Sequence, residues 1–427
     1  MPSFIDHQAD AIVTAMDELL FIFCKCPADQ IITRYPINAV HKNYLEELGF
    51  AFKNNEIPID NRASQQPLKS SQSVCRLLLQ TKRKKYFRRM ISSASRVSPY
   101  SILPSYDSFC KVYDMKDPIP SINTVKKVNS KVYSHRLVKY LFGHTIGKIS
   151  NSSREISTIG NRLLKKSPFL IKDAYGVSGT GSLLISSERM LERIVVHLSK
   201  QEKQGQKTQF ILEPLLNKYL DFSCQFEINA TGKISIISLQ QMQNAGFSFS
   251  GAHTIRSKLQ QRLESSGYFG SVRLIANELY AQGYFGPVCL DSMILQDGTI
   301  VPVIEINARK SMGNINHHVD RFLSTFSVSG RLISFSLGLP RDFNFDKVIH
   351  EMKRKKILFL KQMPLGILPL SANTLLVNLK YVRAQKPRTQ YKGKFYGVIV
   401  SRSAQEHDLM IAGINEVFTN IGAKCFI

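Results

Sequence analysis

The stretch Gly286–Gly313, GPVCLDSMILQDGTIVPVIEINARKSMG, decides how the rest of the chain is read. Two apolar runs flank Asp297-Gly298, a pair that favours the tight turn of a β-hairpin. Along those runs stand Asp291, Glu305, Asn307 and Arg309, and a charge on an otherwise buried strand costs several kcal/mol unless something compensates it. A three-residue loop sets Asp291 opposite Glu305, about 5 Å apart at the Cβ atoms, where two unscreened carboxylates repel. Glu305 and Asn307, two apart on one strand, project to the same face. A divalent cation removes the penalty, and magnesium in nucleotide sites uses only one or two carboxylates plus substrate phosphates. Taken alone, a surface hairpin with its polar side chains turned outward reads equally well.

A second element lies upstream. FLIKDAYGVSGTGSLLI is strand, loop, strand, with Gly176, Ser178, Gly179 and Gly181 in the loop and Lys172 just before it. Such a loop brings bare backbone N–H groups to phosphates while the lysine pairs with their charge. No Gly-Lys-Ser/Thr follows, so it is not a P-loop, and it leads to a strand rather than a helix, so it is not a dinucleotide fingerprint. A flexible turn is the plainer reading. In ILEPLLNKYLDFSCQF, Glu213 ends a buried strand and Asp221 begins the next.

Between these elements the pattern is α/β. SERMLERIVVHLSK is an amphipathic helix with Ser186 or Ser187 as N-cap. DFSCQFEINATGKISIISLQ reads as two strands about Thr231-Gly232, with Phe222, Cys224, Phe226 and Ile228 alternating with polar neighbours. A long helical region runs from about Ser257 to Gln282. QQMQNAGFSFSGAH, residues 240–253, reads as a loop that either lines an acceptor pocket or is plain surface. His317 and His318 follow the SMG turn, as a general base or as helix-surface residues. The N-terminal part opens with the apolar run LLFIFCKC, read as a strand, followed by a helix, VHKNYLEELGF, that stops at Gly49. A polar loop is expected from Asn54 to Ser73, and FYGVIV and HDLMIAGINEVFTNIG are a strand and a helix near the end.

Composition narrows the class. A chain of 427 residues is too long for one ordinary core. With 43% hydrophobic residues it is globular rather than disordered. No run reaches the ~18 apolar residues of a membrane span, and the acidic N-terminus is not a signal peptide, so the cytoplasm is the expected compartment and no membrane partner is expected. Seven scattered cysteines argue against a disulfide framework, and Cys24-Lys-Cys26 has the wrong spacing for zinc. Against 57 Lys and Arg stand 32 Asp and Glu, a net charge of +25 that attracts anionic partners. KRKKYFRR (Lys82–Arg89) and KRKK (Lys353–Lys356) are the densest runs. No nucleic-acid motif accompanies them, so solvated helix faces are expected and nucleic acid is not the expected partner.

Taken in order, the motifs resemble the ATP-grasp superfamily of carboxylate-amine ligases over Asn129–His318. The resemblance implies an α/β (α+β) ATP-grasp fold: an N-terminal Rossmann-like pre-ATP-grasp α/β domain (1–120), a subdomain with the Gly-rich loop (121–205), a subdomain with the metal-binding hairpin (206–328), and a basic C-terminal α/β extension (329–427). Lys131 in NSKVYSHRL and Lys172 look like the two nucleotide-binding lysines, ahead of the loop glycines Gly176, Gly179 and Gly181 and Ser178. Glu213 looks like the adenine-hinge residue, Asp221 like the ribose contact, and Asp291, Glu305 and Asn307 like the magnesium ligands. Arg309 resembles the arginine that steadies phosphate or acyl phosphate. The pattern departs from the family in having Asp221 where Glu is commoner and Thr180 where a second basic residue often stands.

What this implies is an enzyme using ATP and Mg2+, or Mn2+, to activate a carboxylate as an acyl phosphate. An amine of an amino acid or peptide would then displace phosphate. EINARKSMG with YGVSGTG looks closest to peptide and amino-acid ligases of specialised metabolism, antibiotic biosynthesis included. Loading an amino acid onto a carrier-protein thiol, a non-catalytic ATP-grasp interaction protein, and a basic nucleic-acid-binding protein are the alternatives. The basic termini suit an acidic carrier protein or peptide, and a homodimer is compatible with the sequence.

Overall fold

The structure is a computed structural model and describes residues 6–59, 72–94, 96–174, 181–205, 209–246, 248–255, 258–379 and 390–426. In chain order the strands are β1 (Gln30–Ile31), β2 (Lys53–Asn54), β3 (Lys148–Ser150), β4 (Phe169–Asp173), β5 (Ser182–Ile185), β6 (Phe210–Pro214), β7 (Lys218–Ile228), β8 (Ile234–Ala245), β9 (Ser248–Thr254), β10 (Gly286–Leu295), β11 (Ile300–Asn307), β12 (Gly330–Pro340), β13 (Gly366–Pro369), β14 (Gln390–Val400) and β15 (Lys424–Phe426). They fall in two compact units. Unit 1 holds Pro118–Ser250 and Thr254–Gly313; unit 2 holds the N-terminal part through Asp117, Gly251–His253, and the chain from Asn314 onward.

Unit 1 contains two antiparallel arrays. The smaller, ordered β3-β6-β4-β5, packs its apolar face on the helices Ser153–Leu164 and Glu188–Lys203, burying Ile156, Phe169, Ile171, Ile185, Leu191, Leu198, Phe210 and Leu212. Ser187 is the N-cap expected for the second helix, its Oγ accepting from Met190 N at 3.3 Å. The larger array runs β11-β10-β7-β8. Alternation does what the sequence asks of it: Phe222, Cys224, Phe226, Leu290 and Ile294 are fully buried on one face. The helix Tyr268–Ala281 meets Ser292 of β10 through the Tyr268 hydroxyl, 2.8 Å from Ser292 Oγ. The helical region expected over 257–282 is two helices, Lys258–Ser265 and Tyr268–Ala281, because Gly267 turns left-handed at φ +74°.

The Gly286–Gly313 hairpin forms, by a route different from the expected one. Its loop is Gln296–Gly298, closed by Leu295 N donating to Thr299 O at 2.9 Å. Ile294 faces Ile300 and Met293 faces Val301, a register that continued unbroken would put Asp291 opposite Val303. Instead the ladder shifts between Met293 and Asp291, and Asp291 faces Glu305. Pro302 sits inside this bulge, where its missing N–H costs no ladder bond, and its carbonyl accepts from Ser292 Oγ at 2.8 Å.

In unit 2, β12 lies between β14 and β15, with β13 on the far side of β14, all antiparallel. Gly251 and Ala252 of β9 pair with Ile333 and Leu332. Thus most of the 240–253 segment read as a loop is strand, broken near Gly246. Helices Phe345–Arg354 and Ala404–Asn420 belong to this unit, and Phe418 of the latter packs on Phe335 and Phe395. The N-terminal α/β layer has β1 and β2 as a short parallel pair and the helix Ala39–Glu47, N-capped by Asn38.

The apolar run read as a strand over 19–26 is instead a 3-10 helix, Met16–Phe23. Two acids in its first turn are tied to other parts of the chain. Asp17 Oδ2 accepts from Arg34 N at 2.6 Å. The fully buried Glu18 accepts from Ser371 Oγ at 2.8 Å and Asn373 N at 2.6 Å, with His41 Nδ1 2.5 Å away. Part of the 54–73 segment expected to be a loop lies outside the described residues. Most of the Lys82–Arg89 run lies on the helix Lys84–Ser92, which buries Phe87 and Ile91 and exposes Lys84, Lys85, Arg88 and Arg89. Among the described residues no helix is long and apolar enough to cross a membrane, and the seven cysteines are free thiols.

Candidate functional site

The site is assembled in unit 1 from the two ends of the resembling segment. Ahead of Lys131, Asn129 is held by Ala308 N donating to its Oδ1 at 2.9 Å, while its Nδ2 donates to Val125 O at 2.8 Å. Ile306 N donates to Ser134 Oγ at 3.2 Å, and Lys131 N donates to Ala174 O, just past β4, at 2.9 Å. The helix Lys131–Phe142 is thereby fixed along β11. Its first residue delivers a buried ammonium to Glu305, with which it forms an ion pair.

From Glu305 the network continues across the hairpin. Asn307 Nδ2 donates to Asp291 Oδ2 at 2.9 Å, and Asn307 Oδ1 accepts from Arg309 Nη2 at 2.8 Å. The Cys289 thiol donates to Asp291 Oδ1 at 3.4 Å. Five of the residues singled out in the sequence, Lys131, Asp291, Glu305, Asn307 and Arg309, thus lie in one connected cluster. Loss of hydration, then the Glu305 charge opposite, raises the Asp291 carboxyl to about 7, against the pull of Cys289, Arg309 and Lys131. A carboxyl so placed takes up a proton or a cation. Among the described residues no three His, Cys, Asp or Glu converge on one point; the oxygens this cluster presents are those of Asp291, Glu305 and the Asn307 amide.

The remaining candidates are placed as follows. Lys172 on β4 and Glu213 on β6 form their own largely buried ion pair at 2.5 Å. Asp221 is the fourth residue of β7 rather than its start, and its Oδ2 accepts from Lys218 Nζ at 2.6 Å and Asn244 Nδ2 at 2.7 Å. Gly181 closes the base of the Gly-rich hairpin, accepting from Asp173 N at 2.7 Å. Gly176, Ser178 and Gly179 lie outside the described residues. His317 and His318 are half-buried on the helix Met312–Ser324; burial, then Arg321, lowers the His317 pKa.

Register brings in residues that sequence reading passed over. Gln240, Ser223, Asp291 and Glu305 form one row across β8, β7, β10 and β11; Ser238, Gln225, Cys289 and Asn307 form the next. The signal was present in the alternation of Ser223 and Gln225 with Phe222, Cys224 and Phe226. A cavity of about 510 Å³, lined by Tyr219, Leu220, Gln241, Lys258, Leu259 and Arg262, includes Leu220 and Gln241, which alternate with Asp221 and Gln240. It is therefore not centred on the Asp291 row.

No family model and no curated protein matches the sequence. Solved structures match the fold. An N5-carboxyaminoimidazole ribonucleotide synthetase in complex with ADP is 10% identical, covers 93% of this chain and 99% of its own, and has a TM-score of 0.54. The corresponding synthase of Aspergillus clavatus, in complex with ADP and 5-aminoimidazole ribonucleotide, is 10% identical over 91% of this chain and 97% of its own, with a TM-score of 0.52. The chain has the α/β ATP-grasp fold, with antiparallel sheets in unit 1.

Proposed function

We propose that this chain is an ATP-dependent, ADP-forming ligase that activates a carboxylate as an acyl phosphate and joins it to an amine. The observation that carries this reading is the Lys131–Glu305–Asp291–Asn307–Arg309 network, set in an ATP-grasp fold. A divalent cation fits the residues present. Two facing carboxylates, one of them raised to about 7 by lost hydration and by its neighbour, are relieved by a dication, and Asn307 supplies a third oxygen once its amide turns over. Bound there with ATP, Mg2+ (or Mn2+) would supply charge neutralisation at the transferring phosphoryl group.

The chain's own residues do the rest. Asp291, Glu305 and Asn307 would hold the cation. Lys131, released from Glu305 by the cation, and Lys172 would spread negative charge over the phosphates. Were Asn307 Oδ1 to ligate the cation, Arg309 Nη2 would give up its bond to Asn307 and could turn to a carboxylate or acyl-phosphate oxygen. Glu213 and Asp221 are assigned to adenine and ribose, and Gly176, Ser178, Gly179 and Gly181 to closure over the phosphates. The division into 1–120, 121–205, 206–328 and 329–427 is kept as the functional layout.

The finer reading takes the amine from an amino acid or peptide, on the likeness of EINARKSMG and YGVSGTG to such ligases. The experiment is ADP and phosphate release from ATP and Mg2+ over a panel of amino acids, peptides, an acyl carrier protein, and bicarbonate with 5-aminoimidazole ribonucleotide, with Glu305→Ala as control. Release that depends on an amino acid or peptide and is lost in the control is expected. Release only with bicarbonate would replace the donor and acceptor named here, and a fully active Glu305→Ala would overturn the site.

A further inference from the structure

The chain beyond Arg309 does not leave the sheet at once. It turns back over the polar face as a strap. Ser311 is buried and hydrogen-bonded with Cys289 of β10, and Gly313 lands on Gln225 of β7. A Cβ on Gly313 would stand 2.3 Å from Gln225 Nε2 and 2.7 Å from its Cδ, closer than real Cβ atoms come.

Gln225 is poorly placed to yield. It is fully buried; its Oε1 accepts from Ser238 Oγ at 2.7 Å, and its Nε2 donates to Ser223 Oγ at 2.8 Å and Cys289 Sγ at 3.6 Å. Ser223 is the register partner of Asp291, and Cys289 donates to Asp291. One amide therefore braces both neighbours of Asp291 and stops the strap that carries Arg309.

Local conformation does not require glycine at 313. Gly313 is second in the helix Met312–Ser324 and is not in the left-handed region, so its backbone conformation suits alanine at least as well as glycine. The contact with Gln225 is what asks for glycine.

We propose that Gln225 and Gly313 are a positioning pair, a fixed stop and a side-chain-free landing, that sets the reach of Arg309 over Asp291, Glu305 and Asn307. This rests on the reading of that cluster as a cation and nucleotide centre. Outer partners of metal ligands typically alter metal affinity or activity 10–100-fold, and the pair acts at that level.

The test uses the full chain as wild type, Gly313→Ala, Gln225→Ala and the double variant. The readouts are the thermal transition and the Mn2+ concentration that gives half-maximal stabilisation by ADP. Gly313→Ala is expected to fold with its transition lowered by a few degrees, as overpacking does, and to need roughly 10–100-fold more Mn2+. The double variant, in which the methyl group enters the space left by the amide, is expected to return to the Mn2+ requirement of Gln225→Ala alone, below that of Gly313→Ala. Gln225→Ala, which introduces no clash, is expected to fold and to need more Mn2+ because Asp291 loses its brace. Wild-type Mn2+ dependence in folded Gly313→Ala, or a folded double variant no better than Gly313→Ala, overturns the pairing. No Mn2+-dependent response to ADP in the wild type overturns the reading beneath it and the inference with it; a response abolished by Glu305→Ala keeps the two failures apart.

Discussion

Glu305→Gln, combined in a cycle with Lys131→Met, tests whether the site is a charge cluster awaiting a cation. Lys131 is 8% exposed and pairs with a carboxylate whose side chain is 25% exposed. At a contact distance of about 3 Å and an effective dielectric constant of about 20, the gross attraction is roughly 5 kcal/mol. Lost hydration of the ammonium and the exposure of Glu305 reduce the net coupling to about 2–3 kcal/mol, just below the roughly 3–5 kcal/mol lost when a fully buried pair loses one partner. Unit 1 has about two hundred residues, for which each kcal/mol moves a transition by about 2–4 °C. Glu305→Gln without metal should therefore lower the transition of this unit by roughly 5–10 °C, and adding Lys131→Met should restore most of it. Urea unfolding with and without Mg2+ gives the second readout: Mg2+ should stabilise the wild type and leave Glu305→Gln unchanged. A single variant as stable as the wild type, or strictly additive effects in the cycle, would refute the ion pair. Equal Mg2+ stabilisation of both proteins would refute the cation site.

Two further outcomes follow from named groups. Burial raises the Asp17 carboxyl to about 7, well above the ordinary carboxylate range, so its contribution to stability is full below about pH 4 and is lost as pH rises toward 8. The shift corresponds to at most ~4 kcal/mol, and about 2 kcal/mol after allowing for its partial exposure. Asp17→Asn, which keeps an acceptor for Arg34 N, should flatten that slope in urea unfolding between pH 5 and 8, and an unchanged slope would show that Asp17 titrates normally. On the proposed assignment of Lys172 to the phosphates, Lys172→Ala should weaken ADP binding measured by calorimetry, since a cation beside them would be removed. Wild-type affinity would detach the β4 lysine from the nucleotide.

The elements that were legible are those whose periodicity answers to a single sheet or helix. Phe222, Cys224 and Phe226 alternate because one face of β7 is buried, and Ser187 caps its helix through a local bond that sequence alone can specify. The run at 19–23 was not legible, because a short apolar stretch suits a strand or a helix equally. What settles its shape are partners far along the chain: Glu18 answers to Ser371 and Asn373, more than three hundred positions away. The 240–253 segment failed for a related reason. Its Gly, Ser and aromatic composition reads as loop, and it is strand because Gln240–Met242 pair with Asp221–Ser223 and Gly251 and Ala252 with Ile333 and Leu332.

The hairpin holds the most instructive case, because the expected pairing arose from a geometry that the residues did not announce. A loop at Gln296–Gly298 alone would have set Asp291 against Val303, leaving Glu305 two residues out of register. The bulge about Pro302 shifts the ladder by two, and a shift of two leaves every side chain on its own face whereas a shift of one reverses them all. Facing carboxylates, an amide one pair further along and an arginine at the strand's end are therefore preserved together. Lys131, first in its helix, pairs with Glu305, so the charge that Asp291 repels is also the charge that Lys131 holds. On the reading proposed above, a cation held by Asp291, Glu305 and Asn307 would compete with Lys131 for the Glu305 carboxylate, and a lysine so freed would be available to a phosphate.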